Sequence, residues 1–146
     1  MKNIWTRFAF LILVFHCYSI SAQVRPEQLI GTWVFDYSKS IDKIDEQAQK
    51  DYALMPEVIK SQFEQSYRGR KLIFNTNGSF IQQTIDGKQI VGSWKLDNNQ
   101  NISVTSPQGG TIAFKLVVLS DAILVLQLQK KGNQQIILSQ WYLNKN

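Results

Sequence analysis

The chain has 146 residues, a formal net charge of +5, and a single cysteine and a single histidine. This length suits one domain with its own hydrophobic core. The charge is moderate and the sequence carries no recognised nucleic-acid-binding motif, so nucleic acid is not the expected partner.

Residues 1–22 have the form of a secretory signal peptide. Lys2 and Arg7 give a positive start, residues 8–18 are apolar, and a stretch of small residues leads to a cleavage site before Gln23. The apolar run is about half of the ~20 residues that a membrane span requires. We therefore expect no membrane span, and a mature domain of residues 23–146 that is secreted or periplasmic.

Loss of this leader also removes Cys17 and His16. Lipoprotein anchoring through Cys17 is disfavoured, because His16 stands where such signals place a small residue. Residues 23–146 then hold no thiol and no imidazole, which excludes Ser-His-Asp and Cys-His catalysis and the usual zinc ligands. The acidic residues give no inward pair for acid-base chemistry. We predict a monomer that is not an enzyme and has no metal site or cofactor.

The first regular element after the leader is predicted at residues 29–37. Large apolar residues alternate there with smaller or polar ones, as in a half-buried strand, and Gly31-Thr32-Trp33 lies near its start. The tripeptide has an echo at Gly92-Ser93-Trp94, where glycine and tryptophan again share one face of a strand. We expect Trp33 and Trp94 to face the same interior.

An amphipathic helical pattern follows the first strand. Apolar residues recur there at steps of three or four, Ser40 is a suitable N-cap, and Pro56 interrupts the pattern. These signals predict two helices, at about 41–54 and 56–68, with Gly69 at the C-terminal glycine position.

From residue 70 onward the apolar period changes to two, and turn signals recur every eight to twelve residues. Seven further strands are predicted, at 72–74, 80–85, 88–96, 102–104, 111–119, 123–129 and 134–143. The fold class is therefore mainly β: an eight-stranded up-and-down antiparallel barrel, with a two-helix insertion between strands 1 and 2.

This order of elements, together with Gly31-Thr32-Trp33, resembles the lipocalins and fatty-acid-binding proteins. The resemblance implies that Gly31, Trp33 and Trp94 belong to a closed end, with a basic residue, Lys145 or Lys130, packed over Trp33. It also implies that residues 41–68 form a helical lid at the open end, where lipocalin-like proteins admit a small hydrophobic or fatty-acid-like ligand.

Alternating strand directions gather basic residues around the predicted open end, in a set that we call the basic rim: Arg68, Arg70, Lys71, Lys88, Lys130 and Lys131. The rim could attract an anionic amphiphile, or the acidic helices could simply neutralise it. Candidate ligand-binding residues are Arg70 and Lys88 on the rim and Tyr37 and Phe114 inside, although aromatic side chains could equally fill the core.

Two functions follow from this sequence. The first is a barrel that binds or carries a small hydrophobic or anionic amphiphilic ligand. The alternative is a non-catalytic protein-interaction or inhibitor module with a solid barrel core.

Overall fold

The structure is a computed structural model that describes residues 24–130, 132 and 136–146. The expected signal peptide, with His16 and Cys17, lies outside the described residues, and so does Lys131 of the basic rim. No helix within the described part of the chain is long and apolar enough to cross a membrane.

Eight antiparallel strands form a closed barrel in the order of the sequence. Hydrogen bonds between β1 and β8 close it, with Trp33 opposite Lys145. The predicted up-and-down barrel is thereby confirmed. The strands are β1 (Gly31–Phe35), β2 (Lys71–Phe74), β3 (Ser79–Gln83), β4 (Gln89–Leu96), β5 (Asn101–Thr105), β6 (Thr111–Leu119), β7 (Ile123–Leu128) and β8 (Gln140–Lys145).

Within the described residues, four helices accompany the barrel: α1 (Pro26–Leu29), α2 (Tyr37–Asp42), α3 (Glu46–Ala53) and α4 (Glu57–Tyr67). The short α1 precedes β1 and ends at Leu29, the residue at which the sequence pattern began the first strand. The other three lie between β1 and β2, so the insertion is confirmed but contains three helices instead of two.

The first of these three helices begins earlier than predicted because Asp36 caps it. The Asp36 carboxylate accepts a hydrogen bond from the Lys39 backbone N–H at 3.0 Å, which ends β1 at Phe35 and places Tyr37 in α2. Ser40, predicted as the N-cap, is instead a buried residue within α2. Its hydroxyl donates to the Asp36 carbonyl and accepts from the Tyr142 N–H at 3.0 Å, which fixes α2 to β8.

The remaining helix boundaries follow local signals. Asp45 caps α3 by accepting from the Ala48 N–H at 2.8 Å, Pro56 immediately precedes α4, and Gly69 follows it with φ +70°. That backbone conformation favours glycine, as predicted. These caps divide the amphipathic pattern into separate short helices.

The last strand is shorter than predicted. Strand pairing in β8 begins at Gln140, whereas the sequence pattern placed its start at 134, a position outside the described residues. Before it, Leu138 is buried and its carbonyl accepts a hydrogen bond from the Trp141 indole at 3.0 Å. Leu138, just before β8, therefore belongs to the hydrophobic core although it is not part of the sheet.

Candidate functional site

One end of the barrel, which we call the closed end, is sealed around Trp33. This side chain is fully buried, and its indole N–H donates to the Leu29 carbonyl at 2.8 Å. Of the two lysines considered from the sequence, Lys145 lies over Trp33, with its ammonium 4.1 Å from a ring centroid. The same ammonium donates to the Ile30 carbonyl at 2.6 Å, and partial burial lowers the Lys145 pKa.

Gly31 and Gly92, the glycines of the two similar tripeptides, each lie where a side chain would clash, and the clash differs between them. Gly31 has φ +127°, and a Cβ built there would lie 2.8 Å from the Lys145 ammonium nitrogen. A Cβ on Gly92 would lie 2.5 Å from the Thr105 carbonyl oxygen of the neighbouring strand. The missing side chains therefore make room for a lysine in one case and for a backbone in the other.

Trp94 also packs near the closed end. It is buried, its indole donates to the Asn75 carbonyl at 3.1 Å, and it meets Phe74 edge to face at 5.4 Å. Phe74 lies opposite Gly31 in the pairing of β1 with β2. Side chains thus fill the closed end of the barrel.

At the opposite end, which we call the helix end, the helical insertion packs on one side of the barrel through aromatic rings. Phe35 of β1 lies 5.4 Å from Tyr67 of α4 and 5.6 Å from Trp141 of β8, measured between ring centroids. The cluster continues through Phe63 to Tyr52 and Tyr37. The insertion is therefore fixed over β1 and β8.

The other side of the helix end remains open. Ile112 pairs with the buried Val104, and Ile90 pairs with Gln82, which itself pairs with the buried Leu72. Both isoleucines therefore lie on the inner face of the barrel wall. Even so, 57% of Ile90 and 50% of Ile112 is exposed. Inner-wall apolar surface is thus accessible along β3 to β6.

Two adjoining clefts occupy this opening. The larger, the main cleft, has a volume of about 390 Å³. The smaller, the side cleft, has about 80 Å³ and shares Gln82 and Ile112 with the main cleft. The main cleft is lined by Tyr67, Arg70, Gln82, Thr111, Ile112, Ala113, Leu128, Gln129, Ile136 and Trp141. The side cleft is lined by Phe80, Gln82, Ile90, Val91, Gly92, Val104, Ser106, Gly110 and Ile112.

Among the described residues that line the main cleft, Arg70 alone carries a charge. Its guanidinium lies 4.3 Å from the Tyr67 ring centroid and 5.6 Å from that of Trp141. Its Nη2 and Nε donate to the Ser66 carbonyl at 2.7 and 3.2 Å. Burial lowers the Arg70 pKa, yet the group stays charged because arginine is not deprotonated in proteins. Within the described residues, Arg70 forms no ion pair.

The other sequence-predicted ligand residues lie elsewhere. Phe114 is buried, and its ring centroid lies 5.2 Å from that of Trp141. It therefore packs against a residue that lines the main cleft but does not line the cleft itself. Tyr37 is buried beneath the helices, where its hydroxyl shares a 3.0 Å hydrogen bond with Tyr52. Burial, followed by this hydrogen bond, raises the Tyr37 pKa well above its ordinary range.

Lys88 is not brought to Arg70. It lies in the β3–β4 turn, where its ammonium pairs with Asp86 at 2.7 Å. Hydrogen bonds from Lys88 and Thr84 lower the Asp86 pKa to about 2, and the same pair raises the Lys88 pKa. Together with Thr84 and Ile85, these residues line a separate groove against α4, which we call the hairpin groove.

The basic rim is consequently not a continuous ring of unpaired charge. Arg68 pairs with Glu64 of α4, and Lys88 pairs with Asp86. One of these acidic partners comes from the helical insertion and the other from the hairpin. Of the rim residues that the structure describes, Arg70 is the one that lines the main cleft.

Sequence reasoning missed most of the cleft lining, including Gln82, Ile112, Leu128 and Gln129. The alternation of β6 does place Ile112 on the same face as Phe114, which is a usable signal for an inward position. The pattern cannot say which part of the inner wall the helices leave uncovered.

The described residues contain no group of three or more histidine, cysteine, aspartate or glutamate side chains arranged to hold a metal ion. The chemistry of the main cleft is therefore that of apolar contact, amide and hydroxyl groups, and one guanidinium.

The fold and cleft define a closed eight-stranded barrel with a partly open mouth. No protein-family model and no curated protein matches the sequence. A search of solved structures finds a likeness to the crystal structure of a DUF4847 family protein from Bacteroides vulgatus, with 12% sequence identity and a TM-score of 0.41. The match covers 80% of this chain and 92% of the other.

Proposed function

We propose that this protein is a non-catalytic binding protein that holds a small amphiphilic ligand in the main cleft. The observation that carries the proposal is the half-exposed Ile112 on the inner wall of a closed barrel, with the Arg70 guanidinium lining the same cleft. Inner-wall apolar residues of a barrel are normally covered by core packing or by a ligand.

The dimensions and chemistry of the cleft support this proposal. Ligand sites typically have volumes of roughly 300–1,000 Å³ and combine apolar walls with a few polar groups. The main cleft has about 390 Å³, and its walls combine Ile112, Leu128 and Ile136 with Gln82 and Gln129. Such a surface suits a molecule with a hydrocarbon part and one polar end.

The helical insertion acts, in this proposal, as a fixed wall of the cleft. Tyr67 of α4 lines the main cleft and also packs on Phe35 and Trp141. Ser40 of α2 adds a hydrogen bond to β8. A ligand can therefore enter through the open side beside Ile112 without displacement of the helices.

The absence of catalysis remains part of the proposal. No carboxylate of the described residues lines the main cleft. The acidic residues in described ion pairs lie at exposed or partly exposed positions: Glu46, Glu57, Glu64 and Asp86. Binding followed by release of the unchanged ligand is the activity that these groups support.

We also propose export and a monomeric state, as the sequence predicts. N-terminal sequencing of the protein recovered from the culture medium or envelope of its host should begin at Gln23. Recovery from the cytoplasm with Met1 retained would contradict export.

The alternative, a protein-interaction module, has one observation in its favour. At the corner between α3 and α4, Leu54 is 83% and Val58 is 68% exposed, and they form an apolar tip away from the main cleft. A partner protein at this tip would leave the cleft empty, so the two functions predict different effects of cleft substitutions.

Calorimetric titration with dodecanoate, below its micelle concentration, tests the proposed function. We expect saturable one-to-one binding that Ile112→Glu weakens by at least about tenfold, because a carboxylate in an apolar cleft loses its hydration. The matched control is Val117→Glu, since Val117 is 44% exposed on the same strand and lines neither cleft.

The control should bind like the unmodified protein, and both variants should keep its melting temperature to within a few degrees. Absence of saturable binding would contradict the proposed function. So would an equal effect of the two substitutions, because binding would then not depend on the cleft.

A further inference from the structure

A specific class of ligand follows from the state of the Arg70 guanidinium, if the proposed function holds. Nε and one N–H of Nη2 are occupied by the Ser66 carbonyl. No other hydrogen bond joins this side chain to the described part of the chain. The edge formed by Nη1 and the second N–H of Nη2 thus remains available, with the parallel geometry that matches two oxygens of one anion.

The guanidinium is also held in place before any ligand arrives. Its central carbon lies 4.3 Å from the Tyr67 ring centroid and 5.6 Å from that of Trp141. The hydrogen bond to the Ser66 carbonyl fixes the rotation of the guanidinium plane. A preorganised planar donor loses little conformational entropy on binding, which favours a planar acceptor such as a carboxylate.

The charge of the cleft limits the charge of the ligand. Among the described residues that line the two clefts, Arg70 is the one with a charged side chain. A single negative charge can be paired there, whereas the second charge of a phosphate monoester would meet only amides, hydroxyls and apolar groups. Leaving a charge unpaired in such surroundings is costly.

The two clefts also give the ligand a direction. Arg70 belongs to the main cleft alone, Ile112 borders both clefts, and Ile90 belongs to the side cleft alone. A ligand whose head is at Arg70 therefore passes Ile112 before its tail reaches Ile90. Both isoleucines expose apolar surface along this path.

We propose that the two clefts together select an elongated monocarboxylate. Its head group accepts hydrogen bonds from the Nη edge of Arg70, and its hydrocarbon tail runs past Ile112 into the side cleft beside Ile90. Ligand charge and tail length are thus recognised by different residues.

The experiment compares head groups at constant tail length and tail lengths at constant head group, by calorimetric titration below micelle concentrations. Dodecanoate should bind roughly ten- to a hundredfold more tightly than dodecanol, the range expected for charge-assisted hydrogen bonds. Dodecyl phosphate, measured at a pH where it is dianionic, should also bind more weakly than dodecanoate.

Substitution of Arg70 by glutamine should remove the preference for dodecanoate over dodecanol. The matched control, Arg68→Gln, alters the neighbouring arginine, which pairs with Glu64 outside the clefts. It should preserve the preference. If Arg70→Gln fails to fold, Arg70→Lys keeps the charge without the planar fork and should give an intermediate preference.

Tail recognition has its own test at Ile90. Ile90→Ser should weaken dodecanoate several-fold and leave hexanoate unchanged, because only the longer tail reaches the side cleft. Equal affinities for dodecanoate, dodecanol and dodecyl phosphate would overturn the head-group assignment and leave ligand binding itself intact. An equal loss for both carboxylates in Ile90→Ser would overturn the direction of the tail. If no amphiphile binds, the proposed function fails as well.

Discussion

Replacement of Trp33 by alanine probes the closed end of the barrel. The side chain is fully buried, donates a 2.8 Å hydrogen bond to the Leu29 carbonyl, and lies under the Lys145 ammonium at 4.1 Å. Removing a buried tryptophan side chain costs about 3–5 kcal/mol, and loss of the cation–π contact adds ~0.5–1 kcal/mol. Since the free energy of unfolding of such domains is roughly 5–15 kcal/mol, Trp33→Ala should lose about a quarter or more of the stability.

Urea unfolding followed by circular dichroism measures this loss as a change in the free energy of unfolding. Trp33→Phe separates packing from hydrogen bonding, because it keeps a large ring but leaves the buried Leu29 carbonyl without its donor. Its expected cost is about 1–3 kcal/mol. Trp94→Ala should also cost about 3–5 kcal/mol, since that ring is nearly as buried.

A loss below about 1 kcal/mol for Trp33→Ala would refute this reasoning, because no well-packed core position tolerates such a deletion so cheaply. An equal loss for the alanine and phenylalanine variants would show that the hydrogen bond to Leu29, and not ring packing, dominates.

Three further predictions concern the helix end. Tyr37 keeps its proton in the folded protein at pH values where the unfolded chain loses it. The free energy of unfolding should therefore fall by up to about 1.4 kcal/mol per pH unit above pH ~10. Tyr37→Phe should reduce that slope in urea titrations, and an unchanged slope would contradict the raised pKa. Ser40→Ala leaves the Tyr142 N–H without its acceptor and should cost about 1–3 kcal/mol by thermal unfolding, whereas a cost near zero would show that α2 is not fixed there. In hydrogen exchange, amides of α4 should be equally protected with and without dodecanoate; protection that appears only with ligand would support the hinged lid that the resemblance implied.

The architecture could be predicted because its signals are local. The period of two, the Asp86-Gly87 turn and the Gly31-Thr32-Trp33 start each depend on a few neighbouring residues, and the barrel closes in sequence order. Sequence reasoning missed the boundary between α2 and α3, which depends on the N-caps Asp36 and Asp45. Asp36, Ser40 and Asp45 are all suitable N-cap residues, and the apolar periodicity alone does not decide which of them begins a helix.

The site was less predictable because it depends on the placement of the helices over the barrel. The sequence pattern predicts Tyr37 inside the barrel, as expected of a strand that continues past Phe35. In the structure a helix begins at Tyr37, and the Tyr37 hydroxyl instead forms a hydrogen bond with that of Tyr52. Arg70 and Lys88 share the helix end, yet local pairing with Asp86 holds Lys88 in the hairpin groove. Strand alternation identifies Ile112 as inward, and only the tertiary packing leaves it exposed.

The central claim is that the open side of the barrel binds an amphiphile in the main cleft. Nuclear magnetic resonance spectra recorded during addition of dodecanoate test it residue by residue. We predict progressive, saturable shifts at the methyl groups of Ile112 and Leu128 and at the Trp141 indole N–H, with Leu54 and Val58 unchanged. Shifts confined to Leu54 and Val58 at the α3–α4 corner, or no saturable shifts at all, would contradict the claim.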